Sequence, residues 1–246
     1  MTLSATRKST STITRAGSNH ENIGVATMMA LTFVTGLVDA VGYLGLDRVF
    51  TGNMTGNIVI LGMAVAGADE LPVLGPVIAL IAFTFGACVS GLALRSSPKG
   101  WHTRTTTLFA TGGLVLLALA ITMFVVGDNM SKIQQVAFAA VIALVMGEQA
   151  AVARALAVKD MTTVVVTSTL TSLASESFFG SGSAWWNRRV GAVVTIFVGA
   201  IIGALLLLVH VALALLIGAV ITLGVTFIGH RYLTHDIRVR SSENQG

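Results

Sequence analysis

Charge is what this sequence has least of. Of its 246 residues only 11% are Asp, Glu, Lys or Arg, whereas soluble domains carry about 25%. Hydrophobic residues make up 54%, and the mean hydropathy is +0.84. A soluble fold of this length could not hide so much apolar surface, so that class is excluded. The single cysteine, Cys88, lies inside an apolar run, which excludes an intrachain disulfide and gives no support to a metal cluster or redox pair. There is no Gly-x-Gly-x-x-Gly run, Walker loop or nucleophile elbow, and no lysine stands inside an apolar span where a retinal-type Schiff base would need one. No enzyme activity, cofactor or metal is therefore expected.

The net charge of +4 is spread rather than concentrated. Lys and Arg stand in small groups at the ends of apolar segments, not on one basic face, which argues against a nucleic-acid partner and for control of membrane topology. Residues 1–22 are rich in Ser and Thr and contain no apolar core of a signal peptide, so they read as a disordered cytoplasmic tail. A single transmembrane domain is expected over 23–232, followed by a cytoplasmic tail over 233–246.

Crossing about 30 Å of hydrocarbon takes about 20 apolar residues. Six runs meet that length: Ile23 to Leu46, Leu71 to Leu94, Thr105 to Gly127, Ile133 to Ala153, Val190 to Val209 and Val211 to Tyr232. Two other segments do not. Val49 to Ala68 carries Thr51, Asn53, Thr55 and Asn57 in its first half, leaving apolar helix for only about half a bilayer. Met161 to Ser175 is crowded with hydroxyls, including Thr167, Thr169 and Thr171. If both crossed, the fifteen basic residues would split nine inside and six outside. If both re-enter, Arg48 and Lys132 are the only two left outside, which the positive-inside rule prefers. The expected fold is an all-α polytopic membrane protein of about six transmembrane helices plus two short or re-entrant polar segments, with both termini cytoplasmic.

The halves 23–127 and 133–232 resemble each other. Gly36-Leu-Val-Asp39-Ala40-Val41 matches Gly147-Glu-Gln-Ala150-Ala151-Val152, Thr51 to Gly56 matches Thr167 to Ser172, and Phe85-Gly86-Ala87 matches Val198-Gly199-Ala200. Each half holds three spans and one short segment, so the two would insert with opposite orientation. That is the inverted repeat of many transporters, whose broken helices meet near the midplane.

Asp39 lies roughly 10 Å deep by helix rise, where a carboxylate must face the bundle interior or a wet cavity. It is a candidate for titrating a proton or coordinating a cation; the alternative is a carboxylate bonded to the neighbouring short segment. Glu148 and Gln149 lie near its inverted image, although Glu148 has the alternative of pairing with Arg154 at the membrane edge. The run Thr-Gly-Asn-Met-Thr-Gly-Asn, 51 to 57, suits a chain that enters extended and then starts a helix. Such backbone is tolerated at depth only inside protein or along water, and the helix start would aim amide donors at a polar ligand. These residues, with Thr167, Thr169 and Thr171, form the expected path of a small polar solute. A membrane scaffold whose polar segments merely pack is the alternative.

Gly36-x-x-Asp39-Ala40, Val49-Phe50 with the Thr-Gly-Asn-Met-Thr-Gly-Asn run, and Gly147-x-Gln149 with Asp160-Met-Thr-Thr resemble the YoaK-like family of bacterial inner-membrane proteins, domain of unknown function 1275. The resemblance covers about residues 25 to 230. It implies a multi-pass protein of the bacterial plasma membrane and no particular substrate. Glu148 and Ala150 depart from the family's more usual Gly-Met-Gln-Asn-Ala, so no shared role carries over to those two positions.

Overall fold

The computed structural model describes residues 3–68, 70–98, 100–127, 129–156 and 188–234. All regular structure among them is helical, as a chain in hydrocarbon requires, because only a helix satisfies its backbone groups within one segment. The order is α1 (Leu3–Ala40), a π-helical turn (Val41–Gly45), α2 (Met54–Val65), α3 (Leu74–Leu94), α4 (Thr103–Val126), α5 (Lys132–Leu156), α6 (Arg188–Leu207) and α7 (Val211–Tyr232).

Among the described residues, six stretches are long and apolar enough to cross a membrane: Glu21–Gly45, Leu74–Leu94, Thr103–Val126, Lys132–Leu156, Val190–Leu207 and Val211–Tyr232. They agree with the six runs read from hydropathy. The amino-terminal segment needs a correction, since α1 begins at Leu3 rather than near residue 23. A helix already nucleated by the span extends at little cost per residue, and no proline interrupts residues 3–40. The second polar segment, with Thr167, Thr169 and Thr171, lies outside the described residues.

The first polar segment does not cross. Its inbound leg, Leu46 to Arg48, and its outbound leg, Glu70 to Pro72, line one cavity together with Lys132 at the start of α5. Asp47 on the inbound leg also lies against Gly75 in the first turn of α3. Both legs therefore sit at one end of the bundle, and α2, twelve residues long, is a half-length helix between them.

Helices α1 and α5 are the interior spans, with about two-thirds of their apolar windows buried, whereas α3 and α6 turn broad apolar faces outward. On α3, Ile81, Phe85, Val89 and Leu92 face out while Gly86 and Ser90 are buried. Small residues let these outer helices approach the inner ones closely. A β-carbon on Gly36 of α1 would collide with the Ile196 carbonyl of α6, and one on Gly199 with the Phe33 carbonyl of α1. One on Gly147 of α5 would collide with the Phe83 carbonyl of α3, and one on Gly86 with the Leu144 carbonyl of α5. Helices α4 and α7 pack together as a third pair, with Gly113 against Leu223.

The apolar core falls into two clusters. One gathers Val34, Leu37, Val38, Val145, Met146 and Ala219, and the other Met28, Leu31, Val152, Ala153 and Val225. Buried polar side chains stand between them along the helices: Thr32 on α1, Gln149 on α5 and Thr222 on α7. Thr32 and Thr222 each return their hydroxyl to the carbonyl four residues earlier, so they cost little in an apolar setting. Gln149 has no such local solution.

Candidate functional site

The site is built where the chain turns back along the end of α1. The π-helical turn leaves Gly42 without a side chain against the Val49 carbonyl, and Val49 N–H donates to the Gly42 carbonyl at 3.2 Å. The chain then runs antiparallel to the helix it has just left. Two residues on, Asp39 Oδ1 accepts from Thr51 N at 2.9 Å and Gly52 N at 2.7 Å. Asp39 is six residues before Gly45, so the loop reaches about 9 Å below the end of the helix.

Each residue of the Thr51 to Asn57 run then has a definable task. Gly52 passes so close to Thr35 and Asp39 that a β-carbon would lie 2.9 Å from Thr35 Cγ2. Asn53 is the N-cap of α2, its side chain accepting from Gly56 N at 3.2 Å. Gly56 leaves room for the Phe50 ring, which stacks on Tyr43 at 4.9 Å. Asn57 is fully buried; its Nδ2 donates to the Phe50 carbonyl at 2.6 Å and its Oδ1 accepts from Phe50 N at 2.9 Å. Sequence reading places the helix start near Asn57, but α2 begins at Met54, because Asn53 caps it and Asn57 is spent on Phe50.

The expected site residues therefore separate by role. Asp39, Thr51 and Asn57 are buried and bonded to backbone or to each other, so they hold the loop in shape. Asn53 and Thr55 are exposed at the start of the half-helix, where its unpaired amide groups also point.

Gln149 joins the same region from α5. Its Nε2 donates to the Leu31 carbonyl at 3.3 Å and to Thr35 Oγ1 at 3.4 Å, and Thr35 in turn touches Gly52. Its Oε1 is buried and has no hydrogen-bond partner among the described residues. A buried amide oxygen left unpaired costs about 1–3 kcal/mol, which makes it a point where a donor from a solute or water is favoured. Thr35 was not anticipated, although it precedes Asp39 by four residues and so shares its helix face. Glu148 points elsewhere. Its partner is Thr111 on α4, whose hydroxyl donates to Oε1 at 3.2 Å, and not Arg154. Nothing in the sequence distinguishes Thr111 from its neighbours Thr105, Thr106 and Thr107.

Residues 27–228 match the family described as protein of unknown function (DUF1275). The chain belongs to the DUF1275 family. It is 32% identical over 189 residues to the UPF0700 transmembrane protein YoaK of Bacillus subtilis (strain 168), a match covering 73% of this chain and 82% of that protein. No solved structure matches. As a DUF1275 protein the chain is a multi-pass integral membrane protein. The matched region contains the re-entrant half-helix, Asp39 and Gln149, whereas the polar segment before Glu21 lies wholly outside it.

Proposed function

We propose that this protein is a secondary transporter or channel-like facilitator of a small polar solute, built as an inverted repeat in a bacterial cell membrane with both termini cytoplasmic. The observation that carries the reading is the half-helix α2, whose start lies at membrane depth, with exposed Asn53 and Thr55 beside it and Asp39 holding the loop behind it. Polar half-helices at this depth are costly unless they line a wet path, and transporters use them for that purpose.

The inverted repeat has support from contacts between residues far apart in sequence. An offset of 111 carries Phe33, Gly36 and Leu37 to Leu144, Gly147 and Glu148, and an offset of 113 carries Phe83 and Gly86 to Ile196 and Gly199. Under these offsets the contact of Gly36 with the Ile196 carbonyl becomes that of Gly147 with the Phe83 carbonyl. The contact of Gly199 with the Phe33 carbonyl becomes that of Gly86 with the Leu144 carbonyl. The second amide at each crossing, Leu37 N at 3.3 Å and Glu148 N at 3.2 Å, follows the same rule. The orientation rests on Arg48 and Lys132, which line one cavity where the half-helix legs emerge and are the two basic residues that a six-span count leaves outside under the positive-inside rule.

Uptake into proteoliposomes tests the transport reading with a panel of amino acids, sugars, polyols and small organic cations. The expected result is saturable uptake of at least one class. Asp39→Asn keeps an acceptor oxygen for Thr51 and Gly52 and so keeps the loop; if Asp39 couples movement to protons, this variant loses accumulation driven by a pH gradient. Uptake no faster than in empty vesicles for every class sinks the reading.

A scaffold is the second reading, favoured by the internal bonding of Asp39 and Asn57. It predicts that cysteines at Asn53 and Thr55 react slowly with water-soluble thiol reagents from both sides. A solute path predicts rapid labelling from at least one side.

A further inference from the structure

The two legs of the half-helix hairpin enclose a second place of interest, about 9 Å from the Asp39 level by helix rise and separate from it. Leu46, Asp47, Arg48, Glu70, Leu71 and Pro72 line a cavity of about 490 Å³ with Lys132 of α5. That volume falls within the range of small-molecule sites, about 300–1,000 Å³. The lining carries two carboxylates and two cations in a chain that has few charges.

Those charges are incompletely used. Asp47 is buried, and Lys132 Nζ stands 3.6 Å from its Oδ1. Its Oδ2 is buried without a hydrogen-bond partner among the described residues. Arg48 and Glu70 are exposed, and neither forms an ion pair among the described residues. Both also hold left-handed backbone, at φ of 50° and 58°, and they are the two non-glycine residues with positive φ among those described. That conformation is unfavourable for L-residues, and strained residues gather at ligand sites. Here the two strained residues carry opposite charges and face the same cavity from opposite legs.

We propose that this cavity binds a small zwitterion, its ammonium taken by Asp47 and Glu70 and its anionic group by Arg48 and Lys132. A simple cation or anion would answer only half of the lining, and would meet a like-charged pair on the other side. The required chemistry is an ammonium and an anionic oxygen group a few bonds apart. A free solute such as an amino acid supplies it, and so does the head group of an ethanolamine phospholipid at the membrane boundary. The site contacts both legs and the first residue of α5, so its occupant bridges the hairpin to the second half of the chain. The proposal does not require that the protein transports anything.

Calorimetric titration of the full chain in an uncharged maltoside detergent tests it. The probes are glycine and phosphoethanolamine, with acetate and ethylammonium as singly charged controls. The variant is R48Q/E70Q, whose two side chains are exposed and unpaired, so its thermal midpoint should match wild type. At least one zwitterion is expected to bind at least tenfold more tightly than either control, with at least a tenfold loss in the double variant. Mass spectrometry of co-purified lipid separates the sources. Ethanolamine phospholipid retained by wild type and lost from the variant identifies a head-group site, whereas equal retention with binding of a soluble zwitterion identifies a solute site. No saturable binding of either zwitterion together with equal lipid retention overturns the proposal, as does equal binding of a singly charged control or undiminished zwitterion binding by the variant.

Discussion

The side chain of Asn57 and the peptide groups of Phe50 face each other as two strands of a sheet would, each supplying one donor and one acceptor, at 2.6 and 2.9 Å. This pair closes the loop that Asp39 anchors from the other side. It replaces the backbone partners that an extended chain at membrane depth would otherwise lack.

Removing that pair should loosen the hairpin. Asn57→Ala leaves the Phe50 N–H and carbonyl unsatisfied at about 1–3 kcal/mol each, so a loss of roughly 2–6 kcal/mol is expected. Thermal unfolding in detergent measures it. Asn57→Asp sets a buried carboxylate oxygen against the Phe50 carbonyl, and at neutral pH should destabilise at least as much as the alanine variant.

The glycine crossings make a paired prediction. Gly36→Leu and Gly147→Leu each force a side chain into a carbonyl on the facing helix, and should destabilise by about 1–3 kcal/mol or more. Gly91→Ala, where a β-carbon meets nothing within 4 Å, should be neutral or stabilising by up to about 1 kcal/mol. If Gly36→Leu and Gly147→Leu shift the unfolding midpoint no more than Gly91→Ala, the close packing is not what holds these pairs.

Gln149 separates stability from function. Gln149→Leu removes two long hydrogen bonds and one unpaired buried oxygen, so its midpoint should stay within about 1.5 kcal/mol of wild type. If the protein is the transporter proposed above, uptake in proteoliposomes should nevertheless fall at least tenfold, because the free amide oxygen is gone.

His102, just before α4, gives the pH response. Burial pushes it below its ordinary value of 6.5, and the Arg104 guanidinium pushes the same way. Between the lowered folded value and 6.5 the unfolded chain binds the extra proton, so this stabilising contribution is full above about pH 6.5 and is lost as pH falls below it. Unfolding midpoints measured from pH 7.5 to 5.0 should decline in wild type and decline less in His102→Gln.

Hydropathy and charge spacing by themselves determined the class, the six spans and the half-length segment, because lipid imposes one length and one composition on anything that crosses it. They also singled out Asp39 and the Thr51 to Asn57 run, since a carboxylate and a polar glycine-bearing stretch stand out against apolar neighbours. Only the tertiary structure decided what those residues do. It turned Asp39 and Asn57 into braces for the loop, left Asn53 and Thr55 exposed, and sent Glu148 to Thr111 while Gln149 reached Thr35. The reason is geometric: adjacent residues on a helix point about 100° apart, so Glu148 and Gln149 meet different neighbours, and which neighbours depends on helix crossings set by glycines a hundred residues away.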